Sequence, residues 1–394
     1  MKNQSGFGFY FSLAVVSSIA IFNSPILASA DELPSVKHWD LQAVNNDGTS
    51  AWQGTLPFVI EGVIINNPEE MLDFTPNFVP YNDGAGLGIM GGQWQIFIQA
   101  VAPDDRGGTA LWMGQNYGNL AFKRNTDLSY TDEEWIAEMN RVNFDSKTGH
   151  KFRAGDLVRV TARRSLFYGG KRNINEAHSK DPDANFDIEL IAPDYGLPTP
   201  EVVSLADLVR QDDADPSTSE YIFDPTRQTG CEHWQGMLVR INNLSWANTN
   251  NWSHTNSNNF SQRTCIVTDG NNRFFPVVLP LKDLGPIPTT NFDLVGILNQ
   301  ESGSGTQGTN GYQLFLTAIY EHQQSPKLVI GTTQNQNILI KWQQADGWIL
   351  EKADSLSLLN VWTPVAGNFI TNQGFVSVEI PATSSSCFFR LKKD

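Results

Sequence analysis

Apolar and polar residues alternate along most of this chain with a period near two, in short runs. FVIEGVIINN (58–67), WQIFIQAV, TALWMG, DLVRVTARR and FDIELIAP come first, followed by GMLVRINNL, RTCIVTD, RFFPVVL, FDLVGIL and YQLFLTAIY (312–320). The runs are rich in β-branched and aromatic residues and are separated by Gly, Asn, Pro and Asp, which is the pattern of strands joined by turns. The expected fold class is mainly β. The second five runs answer the first five in order. EGVIINN (Glu61 to Asn67) matches QGMLVRINN (Gln235 to Asn243), GDLVRVTA matches FDLVGILN, and FDIELIA matches YQLFLTA. The insertions differ in length, as expected of duplication followed by loop divergence.

One helix is predicted in the first copy. Thr131 and Glu134 in TDEEW make a capping box, and Trp135, Ile136, Met139 and Val142 share a face. Five strands with a helix after the third is the order of an OB-type barrel, whose ligand-binding loops join strands one to two and four to five. The expectation is therefore two tandem OB-like five-stranded barrels, residues 31–197 and 198–324. The second crosses the helix position with GPIPTTN, and a short helix at SLADLV covers the junction. The runs LVIGTT, NILIKWQ, WILEKA, VSVEIP and CFFRLKK then predict a small β-sandwich-like module over 325–394. Residues 1–30 read as a signal peptide, with Lys2, an apolar run from Phe7 to Phe22 and the small-residue ending Ala28, Ser29, Ala30. That places the protein in the periplasm or outside the cell.

Export to an oxidising compartment makes a disulfide plausible between Cys231 and Cys265, which fall in one predicted barrel, whereas Cys387 reads as a buried free thiol on the apolar face of a strand. The net charge of −15 disfavours general polyanion binding unless a local basic patch overrides it. Such a patch exists. Residues 151–180 hold eight cations against Asp156 and Glu176, and part of that run (Arg163, Arg164, Phe167, Tyr168, Lys171, Arg172) falls between strands four and five, where barrels of this type present guanidinium and aromatic groups to a nucleic-acid strand. The alternative is a surface loop paired with Asp181, Asp183 and Asp187.

The uncharged stretch WANTNNWSHTNSNNF occupies the predicted loop between strands one and two of the second barrel. Trp246, Trp252 and Phe260 could stack on sugars or bases there, or pack on the barrel. Asp181, Asp183, Asn185, Asp187 and Glu189 superficially resemble a calcium loop, but Phe186 stands where the turn needs glycine. GAGLGIMGG at Gly84 reads as a turn. The six histidines fall in no metal-binding spacing, and no nucleophile elbow, Walker or dinucleotide motif occurs, so no cofactor and no catalytic site is expected.

GDLVRVTARRSLFYGGKRNINEAH resembles OB-like modules of secreted bacterial nucleases and phosphoesterases, where such modules are often non-catalytic. TGCEHWQGMLVRINNLSW with RTCIVTDG, and the tail WILEKADSL to FFRLKK, resemble modules of exported proteins of environmental Gram-negative bacteria. The resemblance implies a fold and a general role: an exported, non-catalytic binding or assembly protein for a glycan, a protein or single-stranded nucleic acid. A metal-dependent phosphoesterase using Asp181, Asp183 and Asp187 and a purely structural envelope protein are the competing expectations.

Overall fold

The computed structural model describes residues 33–70, 93–115, 129–175, 179–215, 217–252, 263–302, 308–322, 326–345, 347–355, 361–372, 374–382 and 387–393, and the chain is mainly β. The first module opens with the short helix α1 (His38–Leu41). It continues through β1 (Phe58–Ile64), β2 (Gln93–Gln99), β3 (Gly108–Gly114), α2 (Asp132–Asn143), β4 (Leu157–Ala162), β5 (Ser165–Tyr168), β6 (Lys171–Asn175) and β7 (Phe186–Ala192). The strands form one sheet in the order β5-β6-β3-β2-β1-β4-β7, antiparallel except for the β3–β6 pair. The predicted capping box is present in both directions. Glu134 N donates to Thr131 Oγ1 (3.2 Å) and Thr131 N donates to the Glu134 carboxylate (2.8 Å), which satisfies two of the orphan donors at the helix start. Helix α2 lays Trp135, Met139 and Val142 on the sheet, but Ile136 faces outward, one residue off the buried stripe.

The second module contains β8 (Glu201–Val203), α3 (Leu205–Leu208), the ribbon β9 (Val209–Gln211) and β10 (Ser219–Tyr221), α4 (Gly230–His233), β11 (Leu238–Asn248), β12 (Thr264–Thr268), β13 (Phe274–Val278), β14 (Phe292–Gln300) and β15 (Tyr312–Glu321). Here β11, β12, β13, β15 and β14 pair in a ring that returns to β11, a closed five-stranded barrel with β8 added in parallel outside it. The first module follows the same pairing plan through strands one to four, since β1 pairs with both β2 and β4 just as β11 pairs with β12 and β14. It differs at the closing strand. A hairpin, β5–β6, turns at Gly169 and Gly170, both at positive φ (66° and 92°), and β6 takes the parallel place beside β3. Strand β7 is left beside β4 alone. In place of two closed barrels, the structure has one closed barrel and one open seven-stranded sheet.

The two modules share a core. Val63, Ile65, Phe97 and Ala110 of the first pack with Leu238, Val278, Val295, Ile297 and Phe315 of the second, and Phe97 meets Phe315 edge to face at 5.9 Å. Main chain approaches main chain beside this core. Gly108 N donates to Gln235 O (3.1 Å), and a Cβ on Gly236 would lie 2.5 Å from Gly108 O.

The C-terminal module is a two-layer sandwich. Its strands are β16 (Val329–Thr332), β17 (Ile338–Gln343), β18 (Trp348–Ala353), β19 (Thr363–Pro364), β20 (Ile370–Asn372), β21 (Phe375–Ile380) and β22 (Phe388–Lys393). They form a four-stranded sheet β16-β17-β21-β20 and a three-stranded sheet β19-β18-β22 around Ile340, Trp342, Leu350, Val365 and Val378. Among the described residues no helix is long and apolar enough to cross a membrane.

Gly236 combines a positive φ (73°) with no space for a side chain, so Gly236→Ala should lower stability by more than about 1 kcal/mol. A reduced urea midpoint at unchanged m-value is the expected result, and an unaltered midpoint would show that the junction yields easily.

Candidate functional site

The basic run predicted as a ligand loop is the β4 end and the β5–β6 hairpin, and the fold uses most of its charges internally. Arg163 donates to Asn185 Oδ1 (3.0 Å) and pairs with Asp187. Lys171 is buried, its Nζ donating to Gln300 O (2.6 Å) and to Glu301 Oε1 (2.5 Å) of the second module. Arg172 donates to Ser165 Oγ and Ser50 Oγ, with its guanidinium over the Trp52 ring (4.7 Å) and near Phe167 (5.9 Å), and burial lowers its pKa. Lys151 and Arg153 share Glu69, Arg159 takes Glu61 and Lys180 takes Glu134. Phe167 is buried. Arg164 and Tyr168 remain exposed. The hairpin tip itself docks on the barrel, with Ser302 N donating to Gly169 O (3.0 Å) and Gln235 Nε2 to Gly170 O (3.4 Å).

The tryptophans of the second candidate surface also turn inward. Trp252 is buried and donates through Nε1 to Gly285 O (2.9 Å), while Trp246 packs against Trp252 (5.2 Å) and the Phe292 ring (4.7 Å). Trp246 lies within β11 rather than in a loop, because that strand runs on to Asn248. Phe260 and the Gly84 turn lie outside the described residues.

The carboxylates of the superficial calcium ladder do not converge. Asp181 caps the turn at Pro182–Ala184, accepting from Asp183 N, and Asp187 is held by Arg141 and Arg163. Among the described residues no group of three or more His, Cys, Asp or Glu is placed to hold a metal ion. The expected Cys231–Cys265 disulfide is corrected by the structure: both are free and buried thiols. They belong to the same barrel core, but Cys231 is the second residue of α4 and donates to Leu208 O (3.2 Å), whereas Cys265 sits in β12 opposite Val277. Cys387 is also free, and half-buried rather than buried.

Two arrangements escaped the sequence pattern. The first is a buried polar cluster at the module junction. Arg227 stacks on Trp39 (4.0 Å) and donates to Trp39 O (2.5 Å), while Tyr312 Oη donates to Glu232 Oε1 (2.5 Å). Arg106 clamps Glu201 with two 2.7 Å bonds, and Trp234 donates to the same carboxylate. Burial depresses the Arg227 pKa to about 10, opposed by the charge of Glu232, so Arg227 stays cationic at neutral pH. Burial raises the Glu232 carboxyl to about 7, against the lowering pull of the Tyr312 hydroxyl and of Arg227. Nothing in the local sequence GCEHW marks Glu232 as buried. It follows Cys231 on a four-residue helix, and its partner Tyr312 comes from β15, 80 residues further along the chain.

The second is a cleft of about 280 Å³ between the two C-terminal sheets, lined by Trp342, Trp348, Leu350, Pro364, Phe369 and Val376 among others. Strand β17 brings Trp342 inward by simple alternation, and Phe369 meets it edge to face at 6.0 Å while remaining 41% exposed. The alternation of Ile338, Ile340 and Trp342 was legible. The cleft was not, because its other walls come from β18, β19, β21 and the residue before β20. Its composition, apolar and aromatic, is that of a site that takes an apolar group out of water.

Compared with protein-family models, curated proteins and solved structures, the chain matches none, so the reading of its sites rests on their geometry.

The raised Glu232 carboxyl has a definite sign. The folded chain holds this proton where the unfolded chain has released it, so the contribution of Glu232 to stability is full below about pH 4.5 and is lost as pH rises through about 7, a total of ~3 kcal/mol. His38, buried with its pKa lowered, opposes this below about pH 6.5, and Asp224, held at about 2, acts only in more acid solution. Glu232→Gln should therefore flatten the fall in stability between about pH 4.5 and 7 relative to the parent. Parallel curves for the two proteins would place the Glu232 titration elsewhere.

Proposed function

We propose that this protein is an exported, non-catalytic assembly protein, in which the open sheet and the barrel form one rigid unit and the C-terminal module engages a partner. The observation that carries this reading is the apolar cleft between the C-terminal sheets, bordered by the exposed Phe369. The two surfaces that the sequence offers to nucleic acid or glycan support it from the other side, because the hairpin tip docks on the barrel and Trp246 and Trp252 pack on their own module.

Charge distribution favours the same division of labour. Residues 326–394 carry six Lys and Arg against five Asp and Glu, so the strong acidity of the chain belongs to the rest of it. A near-neutral module with exposed apolar groups can approach another protein without the repulsion that keeps acidic surfaces apart.

The folded full chain should bind the apolar dye anilinonaphthalene sulfonate, and Ala345→Phe, which fills the cleft from its rim, should weaken that binding about tenfold or more. Absence of dye binding would remove the cleft as a receiving site. Salt-sensitive binding of single-stranded DNA, lost in the Arg164→Ala, Tyr168→Ala double variant, would replace this reading with the nucleic-acid one.

A further inference from the structure

We infer that the cleft and the free edge of β20 together accept an extended strand of a partner protein, which adds to the four-stranded sheet and places an apolar side chain between the two sheets. This rests on the cleft being the receiving site, as proposed above, and specifies the chemistry of what enters it.

Three observations meet at this place. Strand β20 is an edge strand, paired among the described residues with β21 on one side, and all three of its residues are exposed. Natural edge strands are guarded by charge, proline or a bulge against pairing with other chains. The facing edge of the second sheet, β19, carries Pro364, whereas β20 reads ITN and has neither charge nor proline. Its unpaired N–H and C=O groups are the template that strand addition uses.

The register then links edge to cleft. Thr371 pairs with Val376, so the two share a face of the sheet, and Val376 lines the cleft. A strand laid beside β20 would put every second side chain on that same face, over the opening that Phe369 borders. The cleft, about 280 Å³, suits a single valine, leucine or phenylalanine side chain. Saccharide is a poorer fit, since the walls formed by Trp342, Leu350, Pro364, Phe369 and Val376 offer their side chains' apolar surface to an array of hydroxyls that need partners. The other free edge, β16, is equally bare and exposed, but none of its residues lines this cleft.

The test uses the full chain and a seven-residue peptide that alternates threonine with valine around a central phenylalanine, at high salt to screen charge. A control peptide has two residues replaced by proline, which cannot complete a ladder. Peptide binding should slow amide exchange at residues 370–372 at least tenfold, the control should not bind, and Phe369→Ala should weaken binding about tenfold with only a modest fall in the thermal midpoint, because Phe369 is already 41% exposed at the cleft rim. Ile370→Lys, which adds a charge to the edge and leaves the cleft intact, should abolish peptide binding and spare dye binding. Equal binding of the control, or binding without protection of β20, overturns the inference. Protection of β20 that rises with protein concentration alone also overturns it, since the strand donor would then be a second copy. Dye binding without peptide binding defeats this inference and leaves the cleft reading standing, whereas loss of both defeats the cleft reading itself.

Discussion

The close approach of two main chains at Gly108 and Gly236, beside a shared apolar core, is the constraint on which the rest of the structure depends. Phe97 and Phe315 can meet because neither glycine holds the backbones apart. Once the open sheet and the barrel are in contact over Val63, Ile65, Leu238, Ile297 and their neighbours, every polar group at the seam must find a partner or bear the cost of desolvation. That requirement explains why Lys171 ends on Gln300 and Glu301, why Arg227 covers Trp39, and why Arg106 and Glu201 pair in two bonds.

The same seam decides what the first module can do. In an OB-type barrel the connection between strands four and five is free to hold a ligand. Here that connection folds into a hairpin, closes against β3 and rests its glycine turn on the second module. Its cations serve the fold, each buried or half-buried charge being matched by a carboxylate, a hydroxyl or an aromatic face. Exposed ion pairs contribute ~0–1 kcal/mol each, so the clustering of eight cations reflects many small local pairings together with one buried lysine at an interface.

The C-terminal module follows the opposite logic. It is small, its two sheets cover one another incompletely, and the uncovered part is apolar. A two-layer fold with few residues cannot bury all its large side chains, and the deficit collects where the edge strands are shortest, at β19 and β20. A partner strand would supply the missing cover.

By itself the sequence determined the mainly β class, most of the long strands and the helix cap, but the β5–β6 hairpin reads from it as a loop. Period-two alternation and the Thr131–Glu134 spacing are local signals, and local physics suffices to read them. Its five-run repeat agrees with the shared pairing plan, in which β1 and β11 each sit between the strands that follow second and fourth in their repeat. Only the tertiary structure decided which ring closes, because β6 occupies the place beside β3 and leaves β7 paired with β4 alone. It alone decided that Trp246 and Trp252 face the barrel, that Cys231 and Cys265 stay apart, and that Glu232 is buried beneath Tyr312. Each of these depends on distances between segments far apart in the chain, and composition or spacing carries no record of such distances.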